Sequence, residues 1–131
     1  MNLSPSTKAA FSNFAKDHPG IELALTEATE PKALVIRVGG DLDTGNSAAF
    51  LRLAQEVLEP AKEIGGLAIE LSGLRYISST GVGVLATLLT DSSKKGLPFM
   101  LCSVPQSAKS IFEVLGLWSF FTTVDGMKER V

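Results

Sequence analysis

The chain has 131 residues, 45% of them apolar and 20% charged, enough for one domain whose core needs no disulfide or metal staple. Twelve Lys and Arg against fourteen Asp and Glu give a net charge of −2, which argues against a domain held to nucleic acid by a basic phosphate footprint. One cysteine, Cys102, and one histidine, His18, exclude a disulfide framework, a CxxC motif and a His-rich metal site, and leave a Ser-His-Asp triad only His18 to route through.

No apolar run approaches the about 18 residues of a membrane span; the longest, Gly81 to Leu89, is far shorter. Residues 1–6 carry neither a basic nor an apolar leader segment. A cytoplasmic protein without membrane insertion is the expectation.

Ser4-Pro5 suits a helix start, and Ala9, Ala10, Phe11 and Phe14 give a short apolar stripe at helical spacing, stopped by Asp17-His18-Pro19-Gly20. Residues 1–20 therefore read as an N-terminal helical extension, and 21–131 as the domain proper. The extension either packs on that domain or offers two phenylalanines to a partner. Ile21 to Thr26 alternates as a strand, Ala28 to Lys32 is a turn, and Leu34 to Val38 is a second strand ended by Gly39-Gly40. So short a link makes the two an antiparallel hairpin.

Asp41 to Ser47 is rich in capping residues and precedes a helix with Phe50, Leu53, Ala54, Val57 and Ala61 on one face. Pro60 should kink or end it near Glu59. Leu67 to Leu71 is a buried strand, and Ser72 to Ser78 a loop with Leu74 and Ile77 turned inward. Ser79-Thr80-Gly81 opens a helix through Ser93, with Val82, Leu85, Ala86 and Leu89 inward and Gly96 as its left-handed cap. Leu97 to Val104 is a strand. A third main helix starts at Pro105-Gln106-Ser107 and stops at Gly116. Phe120 to Val124 is a last strand, and Gly126 to Val131 a polar tail. Strands separated by helices imply right-handed parallel crossovers.

In such a sheet, ligands and partners meet the carboxyl ends of the strands, where Gly40 to Ser47, Glu70 to Gly83 and Ser103 to Ser107 project. The hydroxyls of Ser78, Ser79 and Thr80 lie at a helix N-terminus. They can cap free backbone N–H groups or accept a phosphoryl group beside the positive end of the helix dipole. The turn is not a P-loop, a Gly-x-Ser-x-Gly elbow or a GxGxxG fingerprint. Asp41 and Asp43 either cap the following helix or contact a partner. Glu70 is a polar end to a buried strand. Cys102 belongs in the core, His18 in a solvent-facing turn, and Trp118 with Phe120-Phe121 in the core or a docking patch.

The run from Leu67 to Leu85, containing Tyr76-Ile77-Ser78-Ser79-Thr80-Gly81-Val82-Gly83, resembles the signature of STAS domains, shared by sulfate transporters and bacterial anti-sigma factor antagonists. Gly40-Asp41-Leu42-Asp43 looks like the family's Gly-x-Leu-Asp loop. Gly96 to Pro105 looks like its strand ending in proline, and Ile111 to Leu117 like its helix end. The resemblance spans Ile21 to Val124. It implies an α/β fold: a mixed β-sheet with helices packed on it in β-β-α-β-α-β-α-β order, here after the N-terminal helix.

By the same resemblance, Ser79 matches the serine that a partner kinase phosphorylates, with Ser78 and Thr80 as alternative acceptors. Ser78 stands where the family often has Asp. Asp41, Asp43, Thr80, Gly81 and Val82 fall on the expected partner face. The implied activity is a partner switch: the unphosphorylated chain binds an anti-sigma factor that is also a serine kinase, phosphorylation ejects it, and a serine phosphatase restores it. The chain is then no enzyme, with no catalytic set, metal or cofactor of its own. The alternatives are a non-catalytic STAS subunit of an ABC-type lipid transporter, membership of another signalling complex, and a small enzyme or ligand-binding domain.

Overall fold

The structure, a computed structural model, describes residues 3–129. Helix α1 spans Pro5–Asp17, with Pro5 at its first position and the Ser4 side chain accepting a hydrogen bond from the Thr7 N–H at 3.1 Å. It leaves the hydroxyl-rich side wet and buries Phe11 and Phe14 in the main core. His18 closes it, and its ring stacks on Phe14 at 4.4 Å.

Strands β1 (Ile21–Glu30) and β2 (Lys32–Leu42) form the expected antiparallel hairpin, joined by a tighter turn than the sequence suggests. Gly39-Gly40 does not end β2. The strand runs on to Leu42 because Gly40, at φ +75°, lets it slide under the carbonyl of Gly20; a Cβ there would lie 2.2 Å from that oxygen.

The next helical stretch is split into α2 (Ser47–Gln55) and α3 (Leu58–Ile64). The break comes at Glu56-Val57 rather than near Glu59. Proline's ring collides with the carbonyl four residues before it, which for Pro60 is Glu56. The bonds of Glu56 N–H to Leu53 and Val57 N–H to Ala54 slip to a tighter three-residue spacing.

Strand β3 (Leu67–Glu70) is buried at all four positions. Beyond it the expected loop contains another strand, β4 (Leu74–Ile77). Only its end residues, Leu74 and Ile77, are buried; Arg75 and Tyr76 between them are exposed, so no alternation marks it as a strand. It forms because β2 outruns β3. The first part of β2 pairs with β3 (Leu34–Arg37 with Leu67–Glu70), and the rest offers Gly40 to Leu42 to β4, both in parallel.

Helix α4 (Ser79–Lys94), strand β5 (Phe99–Cys102), helix α5 (Gln106–Val114), a 3-10 turn at Trp118–Phe120 and strand β6 (Thr122–Val124) follow. Phe112 of α5 is fully buried, with the rings of Phe121 and Trp118 edge-on to it. Phe120 is 68% exposed. The sequence treats Gly126 to Val131 as a tail; Lys128–Glu129 instead forms β7, antiparallel to β1, while Arg130 and Val131 lie outside the described residues.

The sheet order is β6-β5-β3-β2-β1-β7, with β4 beside the far end of β2. The main core, built on Leu34, Ile36, Leu67, Ile69 and Leu101, lies between one face and the helices. The other face carries a small second core of Ala28, Ala33, Val35, Ala68 and Met100, against which Val124 and Met127 pack. Glu129 anchors this C-terminal segment: its carboxylate accepts hydrogen bonds from the Arg37 guanidinium and from the Thr26 hydroxyl.

Phe14→Ala is expected to lower global stability by about 3 kcal/mol, read as a shifted midpoint of a single urea transition, because α1 shares the main core. Arg37 and then Thr26 hold the Glu129 carboxyl below its usual value. The stability it contributes is complete above the unfolded carboxylate pKa and fades as pH falls through the lower folded one. Glu129→Gln should therefore be less stable than wild type at neutral pH, and the gap should close below about pH 4.

Candidate functional site

Two loops meet at the carboxyl ends of β2 and β4. The first, after Leu42, is closed by a reciprocal pair: the Asp43 N–H donates to Asn46 Oδ1 at 3.0 Å, and Asp43 Oδ1 accepts from the N–H groups of Asn46 at 3.1 Å and Gly45 at 2.9 Å. Asn46 is buried and its Nδ2 donates to the carbonyl of Asp41 at 2.9 Å. Asp43 thus shapes the approach to α2, with Asn46, one of the capping residues in this run, as its partner. A short polar residue three positions on, just ahead of an apolar helix face, was the available signal.

The second loop enters α4. The Ser78 N–H donates to the Leu42 carbonyl at 3.0 Å, which ties the two loops together. Ser78 is the N-cap: its Oγ accepts from the Gly81 N–H at 3.1 Å. Ser79 and Thr80, the first two helical residues, are exposed. The Thr80 hydroxyl lies 3.5 Å from that of Thr44, so the turn into α4 and the Asp43 loop form one surface. The three hydroxyls therefore have three different surroundings. Ser78 does the capping, Ser79 points into solvent, and Thr80 faces the neighbouring loop.

Gly81 and Val82, which the resemblance puts on the partner face, are buried. A Cβ on Gly81 would stand 2.8 Å from both Ile77 Cγ1 and the Leu42 carbonyl oxygen, so this glycine lets α4 sit directly on the end of β2. Val82 is fully enclosed in the main core. Neither presents a side chain to a partner. Gly83 differs from both. It is exposed, its φ is ordinary, and a Cβ there would meet no atom within 4 Å. Glycine inside a helix costs about 1 kcal/mol relative to alanine, and the fold supplies no reason for it here.

Asp41 carries a bidentate ion pair to Arg75, with Arg75 Nε at 3.0 Å from Oδ1 and Nη2 at 2.9 Å from Oδ2. The hydrogen bond to Asp41 raises the Arg75 pKa above its ordinary value. Any partner of Asp41 meets the pair, not a bare carboxylate. Glu70 is buried facing the opposite side of the sheet. Its Oε1 accepts from the Ser72 N–H at 3.1 Å and hydroxyl at 2.9 Å, with Arg37 at 3.6 Å, so it holds the exit of β3. Cys102 is buried, and burial pushes its thiol pKa up. The third projecting segment joins the site through α5: Ser107, Ala108 and Ile111 line, with β4, a groove of about 200 Å³ beside exposed Tyr76. Among the described residues there is no cluster of three or more His, Cys, Asp or Glu able to hold a metal ion, and no helix long and apolar enough to cross a membrane.

A mixed sheet with helices packed on it defines an α/β architecture. The STAS domain model matches residues 24–129, and the chain belongs to that family. Solved structures agree on the fold. A putative anti-sigma factor antagonist from Thermotoga maritima superposes with a TM-score of 0.64 at 20% identity, covering 79% of this chain and 86% of that one. The Bacillus cell fate determinant SpoIIAA in its phosphorylated form gives 0.58 at 17%, covering 79% and 91%. The murine Solute Carrier 26 family member A9 anion transporter gives 0.58 at 18%, covering 84% of this chain but 21% of the transporter.

The cap assignment predicts unequal costs for neighbouring serines. Ser78→Ala should lose about 1 kcal/mol of stability, and Ser79→Ala no more than about 0.5 kcal/mol, both read by thermal or urea unfolding. Equal losses would contradict it.

Proposed function

We propose that this protein is an anti-sigma factor antagonist that binds an anti-sigma factor with serine kinase activity and is released by phosphorylation of Ser79. The observation that carries the reading is the division of labour at the head of α4: Ser78 Oγ is committed to capping while Ser79 is exposed one residue on. The anti-sigma factor antagonists among the similar folds support it. In the reaction, Ser79 Oγ bonds to the γ-phosphorus of ATP, the bond to the bridging oxygen of the departing ADP breaks, and the hydroxyl proton goes to a base on the kinase. ATP and its metal arrive with the kinase, so this chain is substrate and binder, not catalyst. A cytoplasmic site of action and a serine phosphatase that resets the switch complete the reading.

The phosphate brings about −1.5 to −2 charges to the first turn of the helix. Its neighbour Thr80 lies 3.5 Å from Thr44 in the Asp43 loop, so the charge is added next to the surface the two loops share. The helix dipole and the free N–H groups of the first turn stabilise the phosphate on this chain. A surface fitted to the neutral hydroxyl must then desolvate that charge without a counter-ion. Ejection needs little: about 4 kcal/mol corresponds to a thousandfold loss of affinity.

Wild type, Ser79→Ala and Ser79→Asp, immobilised in lysate of the source organism, provide the test. An ATP-binding serine kinase retained by wild type and Ser79→Ala and lost from Ser79→Asp is the expected result, with ATP-dependent modification of wild type mapped to Ser79 by mass spectrometry. A transporter ATPase among the retained proteins, or retention indifferent to the aspartate, would replace this reading with that of a non-catalytic transporter subunit and leave Ser79 as an ordinary first-turn residue.

A further inference from the structure

We infer that the open edge of β1 pairs with the same edge of a second copy of this chain, antiparallel about a twofold axis through Leu23, so that two sheets become one. The inference stands apart from the phosphorylation of Ser79. A sheet edge presents a row of backbone donors and acceptors, which proteins blunt by shortness, proline, lysine, a bulge or a covering segment. The two edges of this sheet differ in that respect. At one, β6 is only three residues long. At the other, β1 is ten residues long, and among the described residues its outer side meets only β7, at Ala28 and Glu30. Ile21 to Leu25 hold no proline or lysine, and their register against β2 is unbroken. Helix α1 packs on β1 without sealing this edge. A hollow of about 300 Å³ beside Lys8 and Ser12 opens onto Leu23, Ala24 and Leu25, and another of about 580 Å³ beside Ala15 opens onto Ile21 to Ala24.

The occupant follows from how this edge fits itself. Side chains alternate along the strand: Ile21, Leu23 and Leu25 lie on the face of the main core, Glu22 and Ala24 on the other. In an antiparallel pair, residues directly opposite each other share a face, so each register brings a different residue onto the twofold axis. An axis through Glu22 sets that carboxylate against its own copy, a destabilising like-charge pair. An axis through Ala24 carries Gly20 of the second copy to Ala28, where Glu129 already pairs. An axis through Leu23 avoids both. Leu23 then meets Leu23, Ile21 meets Leu25, and Glu22 meets Ala24, so the core-side pairs are all apolar and each carboxylate faces a methyl group. The paired stretch, Ile21 to Leu25, stops short of the positions that β7 occupies. The edge is complementary to itself in one register, which is what a twofold contact between copies requires.

Sedimentation equilibrium of the full chain over a range of concentrations tests this. The mass should be 13.9 kDa in dilute solution and should approach twice that at about 100 µM. The register makes opposite predictions for one exposed residue, Ala24, which stands against Glu22 of the second copy on both sides of the axis. Ala24→Glu should weaken the dimer by about tenfold and Ala24→Lys should tighten it by about tenfold. Adding Glu22→Lys to Ala24→Glu should restore it. Circular dichroism and a melt on each variant check the fold, and a merely structural role would not change sign with the charge. A chain that stays monomeric up to about 1 mM overturns the inference and leaves the edge to an extended segment of another protein. A dimer equally strong in Ala24→Glu and Ala24→Lys overturns it as well, because the contact then lies elsewhere. If one variant fails to fold, the other decides alone: an unchanged dimer refutes the inference, and a shift in the stated direction upholds it. None of these outcomes bears on whether Ser79 is the acceptor.

Discussion

The first turn of α4 rests on the carbonyl of Leu42, and the candidate site depends on that contact. The Ser78 N–H reaches this oxygen at 3.0 Å, and Gly81 passes it so closely that a methyl group would not fit. This seat brings the helix N-terminus beside the Asp43 loop, commits the Ser78 hydroxyl to the Gly81 N–H and leaves Ser79 in solvent. The buried Val82 and Leu85 hold the helix down, so the geometry of an exposed hydroxyl is fixed by side chains that never meet a partner.

Strand β2 makes this possible by being longer than its neighbour. It spends its first part on β3 and its last on β4, and Gly40 lets it pass Gly20 on the way. The same strand supplies Arg37 to the opposite face, where it pairs with Glu129 and Glu70 and holds the C-terminal segment over the second core. One strand thus joins the head of α4, the turn after α1 and the closing strand.

On the proposed function, regulation requires little rearrangement. The hydroxyl that changes is outside the capping network, so a phosphate can be added without unseating the helix. The same dipole that favours the phosphate on this chain leaves the bound partner to carry the cost of desolvating it. The paired Asp41 and Arg75 present a locally neutral rim beside it, which leaves the added phosphate as the main change in charge.

Much of this was legible in the sequence. The hairpin alternation, the buried run Leu67 to Glu70, the apolar faces of the helices and the capping residues before α4 each follow from local chemistry, and the motif from Tyr76 to Gly83 pointed to the family. What escaped depended on partners distant in sequence. Strand β4 has no alternation of its own and exists because β2 leaves an edge open. Strand β7 exists because Glu129 finds Arg37 and Thr26. Gly39-Gly40 reads as a stop until the chain that crosses it is known. The sequence by itself determined which residues can form helices and strands, cap them and offer a hydroxyl at a helix start, because those are properties of short stretches. Only the tertiary structure decided which serine caps and which is free, that Gly81 and Val82 lie inside, and that Gly83 faces open space. Each of those depends on where a distant backbone, chiefly that of Leu42, comes to lie.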